Sequence, residues 1–228
     1  MRKALPEEHL KGETREAVKL AMALVATMTA LVLGLLVAST MNTYDAKRSE
    51  VIQLAAKITF LDRVLANYGP ETLIVRKMLY HAVERGISSI WPNDKTRHAQ
   101  LDPSASGAEL LYDYIQQLSP QNDSQRAIKS QAVTLAVEIA QMRWLLLEQA
   151  GSSVSTPLLL VIVFWLAVVF LSFSVFAPWN GTVITALMIA ALSVSCALLL
   201  ILELDRPFDG VIQISSEPMR SSLQHLGK

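Results

Sequence analysis

Residues 20–41 read LAMALVATMTALVLGLLVASTM and contain no Asp, Glu, Lys or Arg. Two later stretches, residues 157–177 and 183–202, also lack charged side chains. A helix rises about 1.5 Å per residue and the hydrocarbon layer of a bilayer is about 30 Å thick, so roughly 20 apolar residues suffice to cross it. All three stretches meet that length, and the sequence therefore predicts an integral membrane protein with three spanning helices.

The first stretch could also be a secretory signal, because it follows a partly basic start and ends in small residues. Signal h-regions are shorter, however, at about 7 to 15 residues. The preceding segment also contains Glu7, Glu8, Glu13 and Glu16 among its basic residues. These features favour a mature transmembrane helix over residues 20–41, preceded by a polar N-terminal segment, residues 1–19.

The second and third spans are expected to form a hairpin. The second, residues 155–177, opens with Pro157, and proline at a first helical position loses no hydrogen bond. Residues 177–181, APWNG, predict a short turn before the third span. The middle segment and the tail, residues 203–228, then share one side of the membrane and residues 1–18 lie on the other. Basic residues occur on both sides, so charge alone does not fix the orientation.

The middle segment, residues 42–154, predicts helices throughout and no strand. Apolar residues recur every three or four positions, which indicates one buried stripe per helix, and Gly69-Pro70 and Ser119-Pro120 interrupt the pattern. The predicted helices cover about 44–68, 71–91, a short stretch ending at 118, and 123–151, with a polar loop at 92–104. The fold class predicted is an all-α membrane protein with three transmembrane helices and a helical bundle domain inserted between the first and second.

Composition and motifs argue against several functions. Residues 44–150 carry 12 basic and 12 acidic side chains, so no large field of one sign would recruit nucleic acid. The four histidines lack zinc-type or catalytic-triad spacing, which indicates neither an enzyme nor a cofactor. His81 and Glu84 lie one helical turn apart, but a solvated helix face explains this spacing better than a metal site.

The first span carries a stripe of small residues at steps of three or four. Such a stripe permits close helix packing in the bilayer, or it lines a narrow pore formed by several subunits. The third span has a comparable stripe, so a further alternative is that the two helices face each other. The small residues are Ala23, Thr27, Ala30, Gly34 and Ala38 in the first span, and Ala186, Ala190, Ser193 and Ala197 in the third.

Three segments together resemble the bestrophin-like family of bacterial membrane proteins, distant relatives of the bestrophin channels. They are ALVLGLLVAS at residues 30–39, LDRVLANYGPE at 61–71 and ELDRPFDG at 203–210. The order of elements, a span, a large helical domain, a tight pair of spans and a tail opening with Pro-Phe, is similar as well. The residues that carry the resemblance outside the first span are Leu61, Asp62, Arg63, Tyr68, Gly69, Pro70, Asp205, Arg206, Pro207 and Phe208.

The resemblance implies a ring of identical subunits in the bacterial inner membrane, with the first span nearest the axis and residues 42–154 and the tail in the cytoplasm. It implies inorganic ions as the permeating species, and Glu203 is a candidate pore-mouth carboxylate. Family members usually carry one more spanning helix upstream. Calcium-responsive bestrophins have an acidic cluster after Pro-Phe, where this chain has only Asp205 and Asp209. The alternative function is a non-conducting scaffold or sensor that binds a partner or ligand through residues 44–150.

Overall fold

The protein, described by a computed structural model over residues 12–92, 108–148, 155–176 and 180–227, is helical and has no strand in these ranges. The predicted all-helical class is therefore confirmed. A 3-10 turn, Pro70–Thr72, follows the first helix. The α-helices are α1 Gly12–Tyr68, α2 Leu73–Ile90, α3 Ala108–Gln117, α4 Asp123–Glu148, α5 Thr156–Phe176, α6 Gly181–Leu204 and α7 Glu217–His225.

The chain divides into two compact units. The first, called here the apolar unit, comprises Met1–Thr43 and Ser153–Asp205; the second, the polar unit, comprises Tyr44–Ser152 and Arg206–Lys228. Three helices, α1, α5 and α6, are long and apolar enough to cross a membrane. They are the three that hydropathy predicts.

Helix α1 is one continuous element of 57 residues, about 85 Å long. The sequence analysis placed a boundary between residues 41 and 42, where the side chains become polar. The helix passes through that boundary because no Gly or Pro occurs between Gly34 and Gly69 to end it. Residues 12–19, expected in a separate polar segment, form its first turns.

The bounds of α6 differ by a few residues from those predicted from the sequence for the third span, residues 183–202. Helix α6 starts at Gly181, because the Asn180 side chain accepts a hydrogen bond from the Val183 amide at 2.9 Å and caps it. It ends at Leu204, so Glu203 belongs to this helix and not to the tail. The predicted turn at 177–179, the polar loop from residue 93 and the predicted end of the long helix at 149–151 lie outside the described residues.

The apolar unit is held together by large aliphatic side chains. Leu36, Ile162 and Ile201, one from each of its three helices, form the buried cluster. Two threonines of α1 are buried as well, and each donates its hydroxyl to a carbonyl one turn earlier: Thr29 to Val25 and Thr40 to Leu36. Their hydroxyls are thereby satisfied without leaving the helix.

The polar unit packs around a larger core that includes Leu61, Leu65 and Ile115, all with no exposed surface. The tail contributes to this core through Phe208, Ile214 and the α7 residue Met219. The bundle therefore contains α7 in addition to the four helices predicted within residues 44–150.

Helix α2 buries the row Val75, Leu79, Val83 and Ile87. The three-or-four spacing of the sequence predicts a stripe of Ile74, Met78, Val83, Ile87 and Trp91, which shares Val83 and Ile87 with that row. Met78 and Trp91 are partly buried against the core, and Ile74 is the exception, with its side chain 64% exposed.

Candidate functional site

Helix α1 carries a row of exposed residues between Ala17 and Asn67, which we call the exposed line. Successive residues of an α-helix are rotated by 100° about the helix axis, so the direction of each side chain relative to that of Leu31 follows from its position. Between Ala17 and Asn67, every residue whose direction is within about 40° of that of Leu31 is exposed. The members of the exposed line are Ala17, Leu20, Leu24, Thr27, Leu31, Leu35, Ala38, Asn42, Asp45, Ser49, Gln53, Ala56, Phe60, Arg63 and Asn67.

The predicted small-residue stripe follows the exposed line and one flank of it. Ala23, Thr27, Ala30, Gly34 and Ala38 are all exposed, and a Cβ at Gly34 would meet no atom within 4 Å. The hydroxyl of Thr27 donates to the Ala23 carbonyl at 2.6 Å. Within the described chain, therefore, no side chain covers this stripe.

The corresponding residues of α6 are also at the surface. Ala186, Ala190 and Ser193 are exposed and Ala197 is half-buried. The contacts within the apolar unit come instead from Leu36, Ile162, Ile201 and their neighbours. The small residues of α1 and α6 are thus available to lipid or to another copy of the chain.

The side chains of the exposed line change from apolar to polar and charged along the helix. Leu31 and Leu35 are 67% and 64% exposed in the apolar stretch. Beyond Asn42 the line carries Asp45, and five helical turns later Arg63, both exposed. No ion pair between described residues involves either of these two charges.

Asp62, in the segment LDRVLANYGPE, lies on a different face of α1 and is buried, with 1% of its side chain exposed. Its carboxylate accepts two hydrogen bonds from the Arg76 guanidinium of α2, at 2.7 Å from Nε and 2.8 Å from Nη2. The backbone amide of Gly227, in the tail, donates to the same carboxylate at 3.3 Å. The hydrogen bond to Asp62 raises the pKa of Arg76, which keeps this guanidinium charged.

The end of the same segment terminates α1. Gly69 has φ +139°, where a side chain is strained, and a Cβ there would collide with the Glu71 carboxylate. Pro70 follows at the start of the 3-10 turn, and the Thr72 hydroxyl donates to the carbonyls of Leu65 at 2.6 Å and Gly69 at 2.8 Å. These contacts fix the angle at which α2 leaves α1.

The segment ELDRPFDG anchors the tail in the polar unit. Pro207 and Phe208 are buried, and the Phe208 ring packs edge-on against Trp91 with centroids 5.9 Å apart. The Trp91 indole donates to the Ile214 carbonyl at 2.8 Å, and the Ile214 amide donates to the Pro207 carbonyl at 2.8 Å.

The charged residues of that segment occupy different environments. Asp205 is buried and Arg206 is exposed. Glu203, the candidate pore-mouth residue, is half-buried near the end of α6. Outside the first span, six of the ten residues that carry the family resemblance are buried: Leu61, Asp62, Tyr68, Asp205, Pro207 and Phe208. Arg63 is the one of these ten that belongs to the exposed line, which also includes Leu31, Leu35 and Ala38 of the first-span segment.

The chain matches the family model described as Bestrophin-like domain over residues 1–219. It belongs to the bestrophin-like family. The resemblance inferred from the three segments is confirmed. None of the curated proteins matches the sequence.

Crystal structures of bacterial bestrophin homologs show the same fold. One from Klebsiella pneumoniae with a single mutation has a TM-score of 0.69 at 13% identity, covering 90% of this chain and 85% of that one. A second from the same organism, obtained by Zn-SAD phasing, has a TM-score of 0.66 at 14% identity, with coverages of 90% and 84%. At these identities the similarity establishes the bestrophin-like fold.

Sequence reasoning missed two features of this bestrophin-like chain. The small residues, predicted to serve helix packing or to line a pore, share a face of α1 with the large residues Leu31 and Leu35. This shared face follows from the 3.6-residue period of the helix once α1 is known to be continuous. Sequence reasoning also could not pair Asp62 with Arg76, because only the turn at Gly69 brings α2 back against α1.

The pair His81 and Glu84 is exposed, with Nδ1 and Oε2 3.2 Å apart. No group of three or more potential metal-ligating side chains occurs among the residues that the structure describes.

Proposed function

We propose that this bestrophin-like protein is the subunit of an oligomeric ion channel in which copies of α1 surround a conduit. The exposed line carries this proposal: α1 exposes one face from Ala17 to Asn67, and that face includes small and polar side chains. By contrast, the large exposed residues of α5, including Leu160, Phe164 and Leu171, are bulky and suit contact with lipid tails.

Leu31 and Leu35 are the proposed constriction of that conduit. Both are more than 60% exposed and lie one turn apart in the centre of the apolar stretch of α1. A ring of leucine side chains from several copies would form an apolar narrowing of the kind that gates ion flow by dewetting. The neighbouring Ala30, Gly34 and Ala38 would let the copies of α1 approach one another closely.

The proposed topology follows from three spans. The polar unit, inserted between the first and second spans and joined by the tail, lies in the cytoplasm of a bacterium, and the chain resides in the inner membrane. Residues 1–18 lie on the opposite side, because an odd number of spans separates them from the tail.

Single cysteines introduced at Lys3 and Gln224 in a Cys196→Ala background test whether the two ends of the chain lie on opposite sides of the membrane. We expect them to react with a membrane-impermeant maleimide from opposite sides, and labelling of both from one side would contradict the arrangement.

The decisive experiment combines oligomer mass with ion flux. The purified protein is weighed in detergent by light scattering and then reconstituted into liposomes loaded with an ion-sensitive dye. We expect a closed oligomer that conducts ions. Leu31→Trp should abolish the ion flux, because the larger tryptophan side chains fill the constriction. The matched control is Leu160→Trp on the exposed face of α5, which should leave the flux unchanged. A monomeric parent protein, or an oligomer that passes no ion, would overturn the proposal.

A second function, a non-conducting scaffold or sensor, draws support from exposed apolar residues of the polar unit. Ile74, Leu110 and Trp144 are 64%, 57% and 58% exposed. Such side chains fit binding of another protein. Pull-down of one partner that Trp144→Ser and Leu110→Ser both abolish, with no ion flux from the parent protein, would favour this function over the channel.

A further inference from the structure

The polar unit contains a closed loop at residues 207–214, which we call the tail loop. The Ile214 amide donates to the Pro207 carbonyl at 2.8 Å and closes it. Both ends of the loop are held by Trp91: the ring of Phe208 packs edge-on against it, and its indole donates to the Ile214 carbonyl at 2.8 Å. Since Phe208 and Ile214 belong to the core of the polar unit, the base of the tail loop is fixed.

The tip of the tail loop presents apolar side chains at the surface. Val211 is 92% exposed, the largest fraction for any large apolar residue that the structure describes, and Ile212 is 37% exposed. Gly210, directly before them, has φ +107°, a conformation that glycine adopts without strain. Residues 210–216 contain no charged side chain. A fixed loop with an uncharged, apolar tip is typical of a surface that binds an apolar partner.

The tail loop is close in the chain to the ends of two apolar stretches. It begins three residues after Leu204, where α6 ends. The Tyr44 hydroxyl donates to the Gln213 carbonyl of the loop at 3.3 Å, and Tyr44 comes three residues, about 4.5 Å of helix, after the uncharged stretch 20–41. The headgroup layer on each side of the hydrocarbon is about 5 to 7 Å thick. Tyrosine is enriched at that level, so both connections bring the tail loop to the headgroup layer.

We propose that the tail loop is a lipid-binding surface that inserts Val211 and Ile212 among the phospholipids of the bilayer that α6 spans. A bilayer fits this tip better than a second protein does. Two aliphatic side chains offer far less than the roughly 800 Å² that each partner contributes to a stable protein interface. This inference goes beyond the proposed channel function, because it requires α6 to cross the membrane but requires no ion conduction.

The test places a fluorescent label at the tip of the tail loop. Val211→Cys, in the full chain with Cys196→Ala, is labelled with a bimane maleimide and reconstituted into vesicles of phosphatidylcholine and phosphatidylglycerol. A phospholipid with a doxyl group near the headgroup end of its acyl chain should quench about half of the fluorescence, because the label lies at the boundary between headgroups and acyl chains. Iodide, present on both sides of the membrane, should quench less than about a tenth.

The matched control is Ile74→Cys in the same background with the same label. The Ile74 side chain is also exposed, at 64%, but it follows the turn after Tyr68. Tyr68 is 24 residues, about 36 Å along α1, from Tyr44. The label at position 74 should therefore be quenched by iodide and not by the doxyl lipid. Because both native side chains are exposed, both variants should keep the circular dichroism spectrum of the parent protein.

Two results would overturn the proposal. Quenching at position 211 by iodide as strong as that at position 74, without quenching by the doxyl lipid, would place the tail loop in water. Protection of position 211 from both quenchers would mean that a second copy or another protein covers the loop. Neither measurement depends on ion flux, so a parent protein that conducts no ion would contradict the channel proposal and leave the quenching result decisive for the tail loop.

Discussion

Two faces of α1 in the polar unit carry an aspartate each, and the two residues have opposite environments. Asp62 is buried, forms a bidentate pair with Arg76 and accepts a hydrogen bond from the tail. Asp45 is exposed and has no ion pair among the described residues. The buried face holds the fold together, and the exposed face is free to act on something outside the subunit. Outside the first span, six of the ten residues that carry the family resemblance are buried, so those residues report the fold more than the function.

The largest expected effect separates these two aspartates. Asp62→Ala removes the carboxylate that pairs with the Arg76 guanidinium, whose side chain is only 10% exposed, and should lower the unfolding free energy by about 3 to 5 kcal/mol. Asp45→Ala should cost less than about 0.5 kcal/mol, because the residue is exposed and unpaired. Guanidinium unfolding in detergent, followed by circular dichroism, measures both. Equal losses would contradict the assignment of one face to stability.

A smaller effect is expected at the end of α1. Gly69→Ala places a side chain at φ +139° against the Glu71 carboxylate and should destabilise the polar unit by about 1 to 3 kcal/mol. Gly86→Ala is the control, because a Cβ there meets no atom within 4 Å. That substitution, inside α2, should stabilise by about 0.5 to 1 kcal/mol. The same unfolding experiment compares the two glycines, and a loss at Gly86 would refute the distinction.

The partly exposed ion pair between Lys57 of α1 and Glu138 of α4 should contribute less. Its side chains are 33% and 42% exposed, so water screens the attraction. Lys57→Met should change the unfolding free energy by about 0.2 to 1 kcal/mol. The pairwise part comes from a double-mutant cycle with Glu138→Gln. The same double-mutant cycle for Asp62 and Arg76 gives the comparison. Equal coupling energies for the two pairs would show that the exposure of an ion pair does not determine its contribution to stability.

The smallest effect on subunit stability is expected at Gly34. A leucine there meets no atom of its own chain within 4 Å, so the fold of the subunit should survive. If the small-residue stripe serves helix packing, Gly34→Leu weakens assembly; if it borders the conduit, the oligomer persists and its ion flux changes. Light scattering and liposome flux report the two quantities. An oligomer of unchanged size, with neither the variant nor the parent conducting, would favour the scaffold function.

The parts of the fold that depend on local hydrophobic pattern could be predicted from the sequence. Runs of about 20 apolar residues identified α1, α5 and α6, because burial in a bilayer requires such runs. The change from apolar to polar side chains near Asn42 marks the boundary between the two units, at Thr43 and Tyr44, but it does not end α1, which continues to Tyr68.

Contacts between distant parts of the chain could not be predicted from local pattern. The Arg76 and Asp62 pair and the Gly227 contact depend on where the turn at Gly69 directs α2 and where the tail docks. The candidate pore residues stay a prediction; two of them, Thr27 and Ala38, lie on the exposed line.

The docking of the tail also sets an order of events during synthesis. The polar unit combines residues 44–152 with residues 206–228, and Phe208, Met219 and Leu226 complete its core. A ribosome produces α5 and α6 before those residues, so both hydrophobic helices emerge while the polar unit still lacks part of its interior. Final folding of that unit must therefore follow delivery of the hairpin to the insertion machinery. A nascent chain halted before Phe208 would present an incomplete core to chaperones and proteases.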